Sequence, residues 1–373
     1  MKRALTAFLL LISLFPGKIL SAEMPRISLL TCTPGNELYS TFGHSALRVS
    51  YPDGKSDLVF NFGLFDFDTP NFYSKFMRGK LKYMLGIQHM NDFIAQYNWE
   101  GRGVAEQVLN LDSVQTINVL SRLEYLYRPE NRYYLYSFLY KNCTSELRDI
   151  IFDAAEADRE ALGRGAGKTN RDLINEYIGG WTKFGINIIL GSTLDREVDV
   201  FQTMFLPDYL YNELTVASNG DVPLVSDHKV ILEKSESSRA ARALLSPMLV
   251  FSLIALIIGY VLIRKRFLFI DLSFLTIIGL LGLFLSVIIL ITDHRELYSN
   301  FNLLWCNPLY LILAVTSLRK WRKASRVLGS ISLMLLFSLV VVWVTGVQYA
   351  EPGFVVLSMI LALSSSMKVF GRD

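Results

Sequence analysis

The sequence predicts an α+β domain followed by an α-helical bundle of about five transmembrane helices, and three observations carry that prediction. Before about Leu244 the chain mixes charges and turn residues with strand patterns first and helical patterns later. After Leu244 it is a series of apolar blocks separated by short polar punctuation. At the start, Met1-Lys2-Arg3 precedes an apolar run from Ala4 to Phe15 and the small-residue ending Leu20-Ser21-Ala22, the layout of a secretory signal peptide. The expected organisation is a signal peptide at 1–22, an exported globular domain at 23–222, a linker at 223–243 and a membrane domain at 244–370.

In the exported part, strand signals dominate from Glu23 to about Asn110. Ser45–Tyr51 and Asp57–Phe62 flank the turn Pro52-Asp53-Gly54 and read as a β-hairpin, with His44 at one end and Asn61 on the partner strand. Asp68–Met77 has the pattern of a short amphipathic helix, and Gly103–Leu111 that of another strand. Asp112 can cap a helix whose apolar positions are Val114, Ile117, Leu120, Leu123 and Leu126, ended by Pro129. An aromatic cluster at 133–140 follows. Asn142 can then cap a helix with the apolar face Leu147, Ile150, Ile151, Ala154 and Ala155, which puts Cys143 in its first turn. Asp172–Leu190 and Asp195–Leu214 read as further helical stretches, and Pro223–Arg242 as a polar linker.

The membrane half holds the blocks Leu244–Ile263, Phe267–Thr292, Phe301–Leu318, Val327–Val344 and Phe354–Met367, the last spanning if Lys368 snorkels toward the headgroups. Asp271 reads as a solvated helix start at the cytoplasmic interface. Arg264-Lys265-Arg266, Arg319-Lys320-Trp321-Arg322-Lys323 and the tail with Lys368 and Arg372 are basic. The positive-inside rule therefore places them and the C-terminus in the cytoplasm, with the mixed loops and the whole first domain on the outer face. That is a multi-pass protein of the inner membrane with its globular domain in the periplasm.

Composition excludes some functions. A formal net charge of +3 over 373 residues gives no reason to expect nucleic acid. Cys32, Cys143 and Cys306 lack metal-ligand spacing, and nucleophilic thiol chemistry needs neither a metal nor an organic cofactor. Cys306 lies in an apolar block and reads as a small buried hydrophobe. Cys32 and Cys143 could pair as a disulfide in an exported domain.

A thiol nucleophile needs a lowered pKa and a base within reach. A cysteine in the first turn of a helix gains the helix's positive end, a histidine on an adjacent strand can take its proton, and a polar side chain on the next strand can fix the imidazole tautomer. Cys143, His44 and Asn61 meet those needs in placement. Asn36, Glu37, Asp57 and Asp66 compete with Asn61 for the third role. On spacing alone, a buried thiol and a hydrogen-bonded core histidine are the simpler account. Near the membrane, His294 sits in a short outer loop among Asp293, Arg295 and Glu296, and Asn302, Trp305 and Asn307 are polar or amphipathic at membrane depth. His294 reads as a headgroup or substrate contact or else an interfacial anchor, and Asn302, Trp305 and Asn307 either hold substrate or lock helices together.

Residues 28–49 and 59–79, the run Arg128-Pro129-Glu130-Asn131-Arg132-Tyr133-Tyr134, and Asn142-Cys143-Thr144 with Arg148-Asp149 together resemble the periplasmic domain of the Lnb-type lipoprotein N-acyltransferases. His294 with the run Asn300 to Leu309 is similar to the transmembrane signature of that family. The resemblance implies a permuted papain-like or NlpC-like fold, a layout shared with lecithin:retinol acyltransferase, in which the histidine strand precedes the cysteine helix. It implies a Cys143–His44 acyltransferase that moves an acyl chain from a phospholipid to a diacylated lipoprotein at the membrane. The alternatives are a cysteine hydrolase of cell-wall peptides or lipid esters, and a non-enzymatic membrane scaffold with a Cys32–Cys143 disulfide.

Overall fold

The computed structural model describes residues 24–52, 54, 56–159, 162, 165–235, 246–264 and 268–371. The expected signal peptide, residues 236–243 of the expected linker and the first two residues of the expected membrane domain lie outside the described residues.

The first domain is organised on β1 (Arg26–Cys32), β2 (His44–Ser50), β3 (Asp57–Leu64), β4 (Lys82–His89), β5 (Val104–Leu109) and β6 (Tyr133–Leu135). A small hairpin, β7 (Ser218–Asn219) with β8 (Val222–Pro223), leads into β9 (Val225–Leu232). The seven-stranded antiparallel sheet runs β6-β4-β3-β2-β1-β5-β9. Strand β9 corrects the expectation of a linker from 223 onward. Its sequence Val-Ser-Asp-His-Lys-Val-Ile-Leu is largely exposed, as an edge strand permits, so it lacks the apolar run that marks a central strand.

The two-residue period of β1 sends Ile27 and Leu29 to one face and Leu30 and Cys32 to the other. On the second face α2 (Met90–Trp99) covers the sheet with Met90, Phe93 and Tyr97. The first face receives α3 (Ser113–Tyr127) and α4 (Cys143–Ala154). Helix α3 starts at the expected Asp112, which forms a reciprocal capping box with Gln115. Its buried stripe is Thr116, Val119 and Leu123, whereas Val114 and Ile117, expected on that stripe, face solvent. In α4 the expected apolar residues Leu147, Ile150, Ile151, Ala154 and Ala155 are all buried.

The stretch expected as one helix from Asp172 is two, α5 (Asn170–Asn175) and α6 (Gly180–Ile189). Helices α7 (Val200–Thr203) and α8 (Pro207–Val216) follow, with Pro207 in the first turn of α8 where its missing N–H costs nothing. Between β3 and β4 lies α1 (Phe72–Met77), six residues with none buried.

The bundle contains α9 (Pro247–Arg264), α10 (Leu268–Ile291), α11 (Leu309–Leu318), α12 (Arg322–Val344) and α13 (Pro352–Phe370). Among the described residues, five segments are long and apolar enough to cross a membrane. The expected block Phe301–Leu318 is α-helical only from Leu309. Ahead of it, the side chains of Asn300 and Asn307 accept hydrogen bonds from the nearby backbone N–H of Asn302 and Leu309, and this local bonding replaces the helix. Asp271 corrects another expectation. It is fully buried in α10, ion-paired to Lys368 at 2.8 Å and bonded by Ser364 Oγ at 2.6 Å. Lys368 therefore turns inward to a partner, as an ionised group in a bundle requires.

The two halves are docked. Phe184 of α6 packs against Phe251 of α9 and Phe354 of α13, with ring centroids 4.8 and 5.1 Å apart. The loop after α10 is built into the first domain. Thr292 Oγ1 donates to Met77 O, Asp293 N donates to Arg78 O, and Lys80 pairs with Asp293. Gly191 N donates to Glu296 O at 2.8 Å, and a Cβ on Gly191 would stand 1.8 Å from Tyr298 O, so only glycine fits that contact.

Candidate active site

Strand β2 begins at His44 because Gly43, with φ +81, supplies a turn that a side chain would block: a Cβ there would lie 2.8 Å from Cys32 O. Strands β2 and β3 pair from Leu47↔Phe60 to Ser50↔Asp57 and separate beyond that. His44 and Asn61 lie in the opened end. There His44 Nε2 is 3.0 Å from Asn61 Oδ1. An amide oxygen only accepts, so Nε2 carries the hydrogen and Nδ1 is the remaining ring nitrogen. The ring of Tyr97 lies nearly parallel to the imidazole, at 6.5 Å and 14°.

Helix α4 brings Cys143 to this point. Asn142 Oδ1 accepts from the N–H groups of Thr144 and Ser145, both at 2.8 Å, and Ser145 Oγ accepts from Asn142 N. The same Asn142 donates through Nδ2 to Phe138 O and Phe205 O, so the cap also anchors the helix start to two loops. Thr144 Oγ1 donates to Ser45 Oγ at 3.2 Å, fastening the helix to the residue after His44. Gly63, on the other side of the opening, would place a Cβ 3.6 Å from Cys143 Cβ.

The electrostatics follow from this packing. Burial pushes the Cys143 thiol up, but the charge and hydrogen bond of His44, the Ser45 N–H and the Thr144 hydroxyl outweigh it and bring the pKa down to about 7. For His44, burial lowers the pKa, while the Cys143 charge, its hydrogen bond and Asn61 raise it, and the net direction is up. Both shifts favour a thiolate beside an imidazolium. Cys32 behaves oppositely: burial pushes its thiol up to about 12, which makes it inert. Cys32, Cys143 and Cys306 are all free thiols.

The structure thus brings His44, Cys143 and Asn61 together. The competitors for the third role are engaged or remote: Asp57 pairs with Arg48, Asp66 accepts from Asp68 N, and Asn36 and Glu37 are exposed. His294, Asn302, Trp305 and Asn307 do not join that cluster. His294 Nε2 is 2.8 Å from Phe76 O in the joint between the halves. Asn302 is fully buried, donates to the carbonyls of Asn187 and Ile188, and accepts from Trp305 Nε1. Asn307 donates to Leu304 O and accepts from Leu309 N. Asn302 thereby holds the loop to α6, Asn307 helps start α11, and His294 ties the loop to the end of α1.

Ser45, Thr144 and Tyr97 are site residues that the motif reading passed over. The first two adjoin His44 and Cys143 in sequence, and that adjacency was the available signal. Glu296 was also missed as a brace: Oε1 accepts from Ser137 Oγ at 3.1 Å and from Leu139 N at 3.4 Å, just ahead of Asn142. No group of three or more His, Cys, Asp or Glu side chains among the described residues could hold a metal ion.

Two family models match the chain: the Lnb N-terminal periplasmic domain over residues 18–172, and the Lnb transmembrane domain over residues 238–372. Neither a curated protein nor a solved structure matches it.

Proposed function

A chain built from both Lnb domains belongs to the Lnb family, and from that premise we propose that it is a lipoprotein N-acyltransferase working at the outer leaflet of the inner membrane. The observation that carries the reading is the Cys143–His44–Asn61 cluster on a domain bonded directly to a membrane bundle. A thiol nucleophile with its base, held beside lipid, suits acyl transfer between bilayer-anchored substrates.

In the first half-reaction the Cys143 thiolate attacks an ester carbonyl of a phospholipid. The oxyanion forms at the start of α4, where the Thr144 and Ser145 amides are taken by Asn142 and the Cys143 amide is the remaining donor of the first turn. The ester C–O bond breaks, the departing alkoxide takes the proton of the His44 imidazolium, and a lysophospholipid leaves. Cys143 now carries the acyl group as a thioester, and His44 is neutral. In the second half-reaction the α-amine of a diacylglyceryl-cysteine attacks that carbonyl. His44 Nδ1 accepts the amine proton, the C–S bond breaks, and the thiolate–imidazolium pair re-forms. Asn61 keeps Nε2 protonated, so Nδ1 faces the chemistry in both steps. No step calls for a metal or organic cofactor. The basic loops and the C-terminus lie in the cytoplasm, which sets the cluster on the periplasmic side.

The test is expression of the full chain in cells depleted of their own N-acyltransferase, with mass spectrometry of a reporter lipoprotein. An added N-acyl chain is expected, and both Cys143→Ala and His44→Ala lower it by about 10²-fold or more. N-acylation that persists in Cys143→Ala sinks the mechanism. A thioester that forms but is released as free fatty acid, with the lipoprotein amine unmodified, marks a lipid hydrolase instead.

A further inference from the structure

The segment from Leu64 to Met77 links the strand of Asn61 to β4, and half of its fourteen residues are large and apolar. Little of that apolar surface is buried. Phe67 and Tyr73 are 62% and 74% exposed, and Leu64, Phe76 and Met77 are exposed as well. In water such a concentration is costly, so its position decides what covers it.

One end of the arm reaches the membrane boundary. Met77 O and Phe76 O accept from Thr292 and His294, and Arg78 O accepts from Asp293 N. Those three residues directly follow Ile291, where the 24-residue apolar helix α10 stops. The arm's apolar side chains therefore sit at the depth where a bilayer passes from headgroup to hydrocarbon, the level at which aromatic rings collect. Lys75 and the exposed Arg78 flank them and match the phosphate of a headgroup. The other end reaches the nucleophile, since Gly63 stands against Cys143. Between the ends the rings are continuous: Phe76–Phe72 at 6.5 Å, Phe72–Phe65 at 5.8 Å, Phe65–Tyr83 at 5.2 Å and Tyr83–Tyr136 at 4.3 Å. Tyr136 is in turn an electrostatic neighbour of Cys143. A cleft lined by Phe76, Leu81, Tyr83, Tyr136 and His294 opens along this path.

We propose that the Leu64–Met77 arm dips into the outer leaflet and delivers the acyl chain of a phospholipid along its aromatic rings to Cys143. The occupant is a lipid acyl chain because the surface is apolar, lies level with the end of a membrane helix and is bordered by cations. This deepens the acyltransferase reading and rests on it for the delivery step. Its membrane contact is testable without any activity.

The full-length protein is placed in nanodiscs with Tyr73→Trp as a probe, against the unsubstituted protein as background. Phospholipid brominated near the top of its acyl chains is expected to quench the added fluorescence. Water-like emission indifferent to bromine overturns the proposal. The second measurement compares Cys143 acylation from bilayer phospholipid with acylation from a short-chain, water-soluble acyl thioester. In Phe67→Ser/Tyr73→Ser the ratio of the first rate to the second falls about tenfold, since two large apolar contacts with lipid are lost. An unchanged ratio overturns delivery by the arm. Absence of a Cys143 thioester from either donor in the unsubstituted protein is a failure of the acyltransferase reading instead, and the bromine measurement then still decides the arm's contact with lipid.

Discussion

His44 commits Nε2 to Asn61, two positions before Gly63 in the opened end of the hairpin, and Nδ1 is the ring nitrogen left for the proposed work on the thiol. The sign of the pH dependence follows from the lowered thiol. The thiolate is the deprotonated form, so its population grows as pH rises through the pKa. Alkylation of Cys143 by iodoacetamide should therefore rise with a midpoint near pH 7 rather than 9. In His44→Ala the largest lowering influence is gone, and the midpoint should move upward toward or past 9. A midpoint that stays near 7 in that variant would show that the imidazole does not activate the thiol. Cys32, pushed up to about 12, should resist the reagent throughout this range. At this scale much was legible in the sequence. A cap residue before Cys143, a histidine at a strand start and an amide on the next strand are all local signals. The polar residues near the membrane were less legible, because Asn302 and Asn307 look alike whether they hold substrate or close a turn. Only their hydrogen-bond partners distinguish the two roles.

Helix α4 is held at its start by more than its own cap. Asn142 serves Thr144, Ser145, Phe138 and Phe205 at once, and Glu296, reaching over from the membrane loop, fixes Ser137 and Leu139 beside it. Asn142→Ala should cost about 1–2 kcal/mol from the cap alone. Glu296→Ala should cost about 1.5–3 kcal/mol, the usual value of hydrogen bonds to a charged group. Glu296→Gln keeps an acceptor and should recover most of it. Thermal unfolding reads both losses, and slower alkylation of Cys143 in Glu296→Ala but not in Glu296→Gln would tie the brace to the nucleophile. Some elements were legible and others were not, for physical reasons. The caps at Asp112 and Asn142 announce α3 and α4. Helix α2 carries the helical period too, with Met90, Phe93, Ile94 and Tyr97 at i, i+3, i+4 and i+7, but it is short and His89 ahead of it makes no side-chain cap to announce its start. Strand β9 is an exposed edge and reads as polar linker.

The molecule as a whole is an Lnb periplasmic domain riveted to a bundle, and the bundle has its own polar fastening in Asp271, Ser364 and Lys368. Removing one partner of a buried pair leaves a charge stranded, so Asp271→Ala should destabilise the bundle by on the order of 3 kcal/mol. Replacing both partners by leucine should restore most of that, a comparison that chemical unfolding in detergent can make. If Asp271→Ala unfolds like the unsubstituted protein, the pair is not a fastening. The alternation of apolar blocks made five spans legible, but not the interruption of the third, where α11 keeps only ten residues of helix. Irregular backbone at membrane depth is tolerated only where protein sheathes it. Asn302, Trp305, Cys306 and Asn307 are all buried, and Gly282 of α10 lets Asn307 come so close that a Cβ there would stand 2.4 Å from its backbone. The bundle is thus insulated from lipid at the level where its third segment lacks helical bonding, and a side chain at position 282 would part the two segments and leave polar backbone facing hydrocarbon.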